Sequence, residues 1–137
     1  MRFAKTTEYA IRVMVYLSHN RDEMYSVNRL HTILNIPNKY LGKLMTKLAI
    51  AGLVNVSQGK QGGYQLNKDR SPIYLEEIIN IVESLDNYNR CVLGFDNCSD
   101  ENPCSLHTYW VKPKEGIINL IQNTSLDDLD NTGNFKY

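Results

Sequence analysis

The 137 residues are 42% apolar and 22% charged, enough for one domain with a real core and ordinary for a globular chain. No apolar run approaches the ~20 residues of a membrane span, and residues 1–8 lack a signal-peptide core, so the expected setting is the cytoplasm, away from any membrane. The zero net charge hides an asymmetry: residues 1–70 carry eleven Lys/Arg against four acids, and residues 71–137 four against eleven, so only the first half suits a polyanion.

Ala10, Val13, Met14 and Leu17 recur at helical spacing and predict a helix over 7–19, capped by Thr6 or Thr7, with Glu8 at the positive end of its dipole. Ser26 is a good cap for a second helix over 27–34. Asn35-Ile36-Pro37-Asn38 breaks the pattern, and Asn38 can cap a third helix over 39–51 with Leu41, Leu44, Met45 and Leu48 inward and Gly52 as its stop. Two short helices joined by a tight turn read as a helix-turn-helix. Leu53–Ser57, the glycine-rich turn 58–63 and Tyr64–Leu66 then predict a β-hairpin, the wing of a winged helix. The glycines are not a phosphate loop, because the Gly-Lys-Ser/Thr ending and the following helix are both missing. A fourth helix is expected over 74–85. Residues 86–103 have no period, and a last helix over 105–122 should kink or split at Pro113 and Gly116. One helical turn at 125–129 and a disordered tail at 130–137 complete the chain. The fold class expected is mainly α with a small β-hairpin wing. The division is a winged helix-turn-helix over 1–72, then a helix, loop and long helix over 73–129.

On the third helix Lys39, Lys43 and Lys47 share one face at four-residue steps, beside Tyr40 and Thr46. Such a row can enter a major groove of double-stranded DNA, with lysines on phosphates and Tyr40 or Thr46 near base edges. Asn38 and the helix N-terminus can donate to a phosphate. In the wing, Gln58 and Lys60 are the candidate contacts. All three cysteines fall in Cys91-x6-Cys98-x5-Cys104-x2-His107. Three cysteines in a reducing compartment are no disulfide framework, whereas three thiolates on one loop can converge on a metal centre. His107, one turn into the last helix, is a natural fourth ligand, and Glu8 is a second candidate. Cys104 and His107 also fit half of a zinc knuckle, so a zinc-stabilised winged-helix or protein-interaction module is the competing reading. No nucleophile–base pair points to an enzyme.

These residues resemble the IscR/NsrR family (Rrf-two type) of iron–sulfur winged-helix repressors. The likeness rests on Glu8-Tyr9-Ala10, Tyr40-Leu41, Ala51-Gly52-Leu53-Val54, Gly59-x-x-Gly62-Gly63-Tyr64, the three cysteines and Leu106-His107-x-x-Trp110, and it runs from Met1 to Leu126. The resemblance implies a homodimer in which the helix around 105–122 crosses its partner, a palindromic operator, and a cluster on Cys91, Cys98 and Cys104 with one further ligand. IscR-like members use histidine at the position of His107 with a [2Fe–2S] cluster. NsrR-like members use an acid at the position of Glu8 with a [4Fe–4S] cluster. His107 and [2Fe–2S] are preferred here, being local to Cys104. Cluster redox state, or attack by nitric oxide or oxygen, would switch DNA affinity. The sequence departs from the family where Gly42 replaces a base-reading glutamate, Gln58 replaces the wing arginine, and Pro113 interrupts the dimer helix.

Overall fold

The computed structural model describes residues 2–137. The chain forms α1 (Lys5–His19), α2 (Val27–Leu34), α3 (Asn38–Ile50), an antiparallel hairpin of β1 (Val54–Ser57) and β2 (Gly63–Leu66), a 3-10 turn at Lys68–Arg70, α4 (Leu75–Val82), α5 (Asp86–Asn89), α6 (His107–Asn123) and α7 (Leu126–Asp130). It is mainly helical with a two-stranded wing following the third helix, the architecture expected from the sequence.

One hydrophobic core holds the elements together. Ala10, Met14 and Leu17 of α1 meet Leu30 of α2, Leu41, Met45 and Leu48 of α3, Leu66 of β2 and Ile78 and Ile79 of α4, all at most 2% exposed. Ile121 of α6 and Leu126 of α7 join the same cluster, so the first 72 residues and the remainder share it. The apolar stripes read from 3.6-residue spacing are the buried faces.

Local chemistry sets the element ends. Ser26 caps α2, its Oγ accepting from the Arg29 amide at 3.1 Å, and Asn35 closes the helix in the left-handed region at φ 54°. Helix α3 ends at Gly52 (φ +78°): the Leu53 amide donates to Leu48 O and the Gly52 amide to Ala49 O, a Schellman closure. The hairpin pairs Val54 with Leu66 and Val56 with Tyr64, and Tyr25 adds an isolated bridge through reciprocal 2.8 Å bonds with Tyr64. Gly63 sits at φ +142°, and a Cβ there would come within 2.6 Å of the Tyr25 carbonyl. Gly63→Ala should therefore lower stability by about 1–3 kcal/mol. A denaturant midpoint equal to that of the unsubstituted protein would contradict this packing.

Several boundaries differ from the expectation. Neither Thr6 nor Thr7 caps α1, which starts at Lys5 behind Ala4 without a side-chain cap. Thr7 is fully buried and its hydroxyl donates to the Glu83 carboxylate instead. Asn38 is inside α3 rather than its cap, because Pro37 takes the cap position and its carbonyl accepts from Tyr40 and Leu41; the Asn38 amide donates to Asn28 at 3.3 Å. Helix α4 stops at Val82, since Glu83 is extended (φ −154°) to reach Thr7 and Tyr88. Helix α5 is an additional turn in a stretch without visible period. Helix α6 runs unbroken through Pro113, which is exposed, so the carbonyl deprived of its partner is open to water. Past Asn131 there is no regular element, yet the tail docks on α1 where a disordered end was expected. Phe135 stacks edge-on to His19 at 4.8 Å and Tyr137 to Tyr16 at 5.0 Å, with the Tyr137 hydroxyl 2.9 Å from His19 Nδ1. Among the described residues no helix is long and apolar enough to cross a membrane.

Candidate functional site

Helices α4 and α5 carry the chain out of the core to residues 90–106, which form only turns and bends before α6 begins at His107. Two tight turns fold this loop on itself. The Gly94 amide donates to Cys91 O at 3.0 Å, with Gly94 at φ +81°, and Ser99 and Asn102 exchange backbone bonds of 3.2 and 3.1 Å. The result brings the sulfurs of Cys91, Cys98 and Cys104 within 4.8 Å of one another. Cys91 Sγ lies 3.6 Å from Cys104 Sγ, and the Cys104 amide donates to Cys98 Sγ at 3.4 Å. All three are half-buried free thiols, and Cys98 and Cys104 wall a cleft of about 520 Å³ with Phe95, Asn97 and Pro103.

This donor set fits a thiophilic metal centre. Two sulfur ligands at about 2.3 Å from one tetrahedral metal lie about 3.7 Å apart, the separation of Cys91 from Cys104. The backbone amides of Phe95 and Leu93 hold the Cys91 thiol down to about 7, poised to supply a thiolate. The Cys104 amide favours the Cys98 thiolate too, but desolvation and the neighbouring sulfurs outweigh it and leave Cys98 raised. Three thiolates this close repel, and a bound cation removes that penalty.

Of the two candidate fourth ligands, one stands beside the sulfurs. His107 Nδ1 is 3.2 Å from Cys98 Sγ, and its Nε2 is 2.8 Å from Asp100 Oδ1. Neither His107 nor Glu8 lies within 4.8 Å of all three sulfurs, and Glu8 is engaged elsewhere. Its carboxylate accepts from Arg2 Nε at 2.7 Å and Lys5 Nζ at 2.9 Å, which hold it down to about 2. Arg2 also lines a second cleft, with Tyr88, Cys91 and Trp110. Asp100 and Arg2 carried no spacing signal in the sequence; they show only once the loop is folded.

Lys39, Tyr40, Lys43, Thr46 and Lys47 of α3 are exposed outside its buried stripe, and Gln58 and Lys60 are exposed in the wing. Among the described residues, none of Lys39, Lys43, Lys47 and Lys60 forms an ion pair, whereas Arg21, Arg29, Lys68 and Arg70 all do. Lys39 Nζ stands 5.0 Å from the Tyr40 ring centre, and Tyr40 lies 6.1 Å from Tyr9 of α1. The Thr46 hydroxyl bonds back to Gly42 O at 3.0 Å.

Residues 3–132 match the Rrf2 family, described as an iron-dependent transcriptional regulator. The chain is 32% identical over 133 residues to an HTH-type transcriptional regulator of Aquifex aeolicus, covering 96% of this chain and 92% of that protein. It is 31% identical over 132 residues to the HTH-type transcriptional regulator IscR of Yersinia pseudotuberculosis, covering 96% and 80%. In fold it is similar to CymR, the global cysteine regulator of B. subtilis (TM-score 0.75, 22% identity, 96% and 98% covered). It is likewise similar to T. potens IscR (TM-score 0.73, 22% identity, 98% and 89% covered).

Proposed function

The chain belongs to the Rrf2 family of transcriptional regulators, and from that premise we propose that it is a cytoplasmic, homodimeric repressor whose grip on a palindromic operator is set by an iron–sulfur cluster on Cys91, Cys98, Cys104 and His107. The observation that carries this reading is the group of three thiols within 4.8 Å of one another, with His107 Nδ1 against one of them. When bound, the cluster supplies an iron centre that oxidants or nitric oxide can alter. The residues that would hold that centre lie between the C-terminal end of α5 and the start of α6. Helix α6 buries only Ile121 fully and leaves Tyr109 78% and Leu120 53% exposed, a face suited to a second copy. A two-fold dimer would then set two α3 helices about 34 Å apart in successive major grooves, with Asn38, Lys39, Lys43 and Lys47 on phosphates, Tyr40 and Thr46 nearer the bases, and Gln58 and Lys60 at the minor groove.

Anaerobic purification with iron and acid-labile sulfide analysis tests the cofactor. About two of each per chain are expected for a [2Fe–2S] centre. A colourless protein with one zinc per chain would replace it with the zinc-stabilised reading, which the same three sulfurs and one nitrogen could also satisfy. The fourth ligand is separable by substitution. His107→Ala should shift the visible bands and loosen the iron, whereas Glu8→Ala should leave both unchanged, since Arg2 and Lys5 occupy that carboxylate. The reverse result would favour a ligand set completed by Glu8.

A further inference from the structure

A histidine has two ring nitrogens, and only one can face a metal. Which one does so is decided by what holds the other. In this fold the two are unequally placed. Nδ1 of His107 looks inward, 3.2 Å from Cys98 Sγ, and Nε2 looks outward, 2.8 Å from Asp100 Oδ1. The exposures agree with that polarity: the His107 side chain is 15% accessible and that of Asp100 94%.

The carboxylate is held by more than its own side chain. Asp100 is the second residue of the turn from Ser99 to Asn102, closed by the backbone bonds between those two residues. Ser99 Oγ accepts from the Asn102 amide at 3.2 Å, and the Asn102 side chain donates to Asn97 O at 3.2 Å. Serine at the first position favours such a turn. His107 is fixed from the other side, as the first residue of α6 with its amide on Cys104 O at 3.1 Å. Turn and helix start therefore oppose each other across the ring. A carboxylate accepts only, so in the neutral ring, the form that ligates a metal, the proton shared with Asp100 is on Nε2 and the Nδ1 lone pair faces the sulfurs.

We propose that Asp100 is a positioning residue that turns His107 so that Nδ1 is the atom offered to the metal centre. This rests on His107 as the fourth ligand, the reading given above. The same hydrogen bond makes the imidazole a better donor, the usual effect of a carboxylate behind a ligating histidine. Loss of such a partner costs about 10–100-fold in metal affinity, and the exposure of Asp100 places it near the tenfold end.

The test uses the full-length apo protein with Co(II) as a spectroscopic probe, alongside the iron-loaded protein. Asp100→Asn should weaken Co(II) binding about tenfold while leaving the thermal melt unchanged, and Asp100→Glu should restore it. Protein carrying histidine labelled with ¹⁵N only at Nδ1 should show the strong hyperfine coupling of a directly bound nitrogen in the reduced, paramagnetic cluster. Wild-type Co(II) affinity in Asp100→Asn, or strong coupling from Nε2 instead, would overturn the assignment. Failure of the cofactor reading is distinguishable. A protein purified without iron or sulfide, whose Co(II) affinity still falls in Asp100→Asn, would sink the cluster and keep the role of Asp100.

Discussion

Cys98→Ala should yield a folded protein with no visible absorption and no bound iron, whose operator affinity no longer depends on whether it was made in iron-replete cells. Cys98 is the thiol that faces the histidine: the Cys104 amide, His107 Nδ1 and both other sulfurs surround it. Removing it takes one donor outright and strips His107 of its inner neighbour. The cost to the fold should be small, because Cys98 lies in a half-exposed loop outside the hydrophobic core. If cluster and operator are coupled as allosteric sites usually are, wild-type protein should show about a 5–150-fold difference in affinity between loaded and apo forms. The variant should sit at the apo value under all conditions. Visible spectra, iron analysis and operator titrations with and without iron check this together. A Cys98→Ala protein that keeps the wild-type spectrum would remove Cys98 from the ligand set.

A run of contacts joins the sulfur loop to α3. Tyr88, three residues before Cys91, and Thr7 of α1 both donate to the Glu83 carboxylate, and Asn87 adds a third bond at 3.3 Å. Burial opposes charge on Glu83, but the hydrogen bonds from Thr7, Tyr88 and Asn87 outweigh it and hold its pKa low. Burial, and then the Glu83 carboxylate, push the Tyr88 phenol up to about 12. Two residues beyond Thr7, Tyr9 lies against Tyr40 of α3. A change in how the loop leaves α5 thus bears on α1 and, through it, on the lysine-bearing helix. Energy passes along such a path only to the extent that the two states of the loop prefer different arrangements of it.

What could be read from the sequence and what could not divides along physical lines. The first three helices and the wing were legible because their apolar residues repeat at the period of the element and their stops, Asn35 and Gly52, are residues that tolerate positive φ. The cysteine site was legible because its donors come from one short segment, so spacing alone brings them together. The misread places are those where a side chain serves a distant partner. Thr7 reads as a cap but spends its hydroxyl on Glu83, and Glu83 reads as helical but unwinds to receive it. The tail is polar in composition, yet its aromatic rings find Tyr16 and His19 on α1, a contact no local pattern encodes. Asp100 is one acid among several in a polar loop and gains meaning only from the turn that points it at His107.

Replacing Lys39, Lys43 and Lys47 together by alanine should give the largest loss of operator binding of any surface change, and the salt dependence should reveal how many rows are engaged. Among the described residues the three ammonium groups have no carboxylate partner, which leaves their charge available to phosphate. Lys68, by contrast, is paired with Asp22. Each phosphate contact contributes about 0.9 to the slope of log affinity against log salt. Losing three should flatten that slope by about 2.7 for one protomer, and by about 5.4 for a dimer on two half-sites. Between about 50 and 200 mM salt, three contacts alone account for a roughly fortyfold loss of affinity that the variant would not show. Because all three side chains are exposed, the thermal melt should stay at the wild-type value. Lys68→Ala is the matched control and should leave the slope unaltered. A drop near 2.7 would mean that one row touches DNA at a time, and an unchanged slope in the triple variant would take α3 out of the interface altogether.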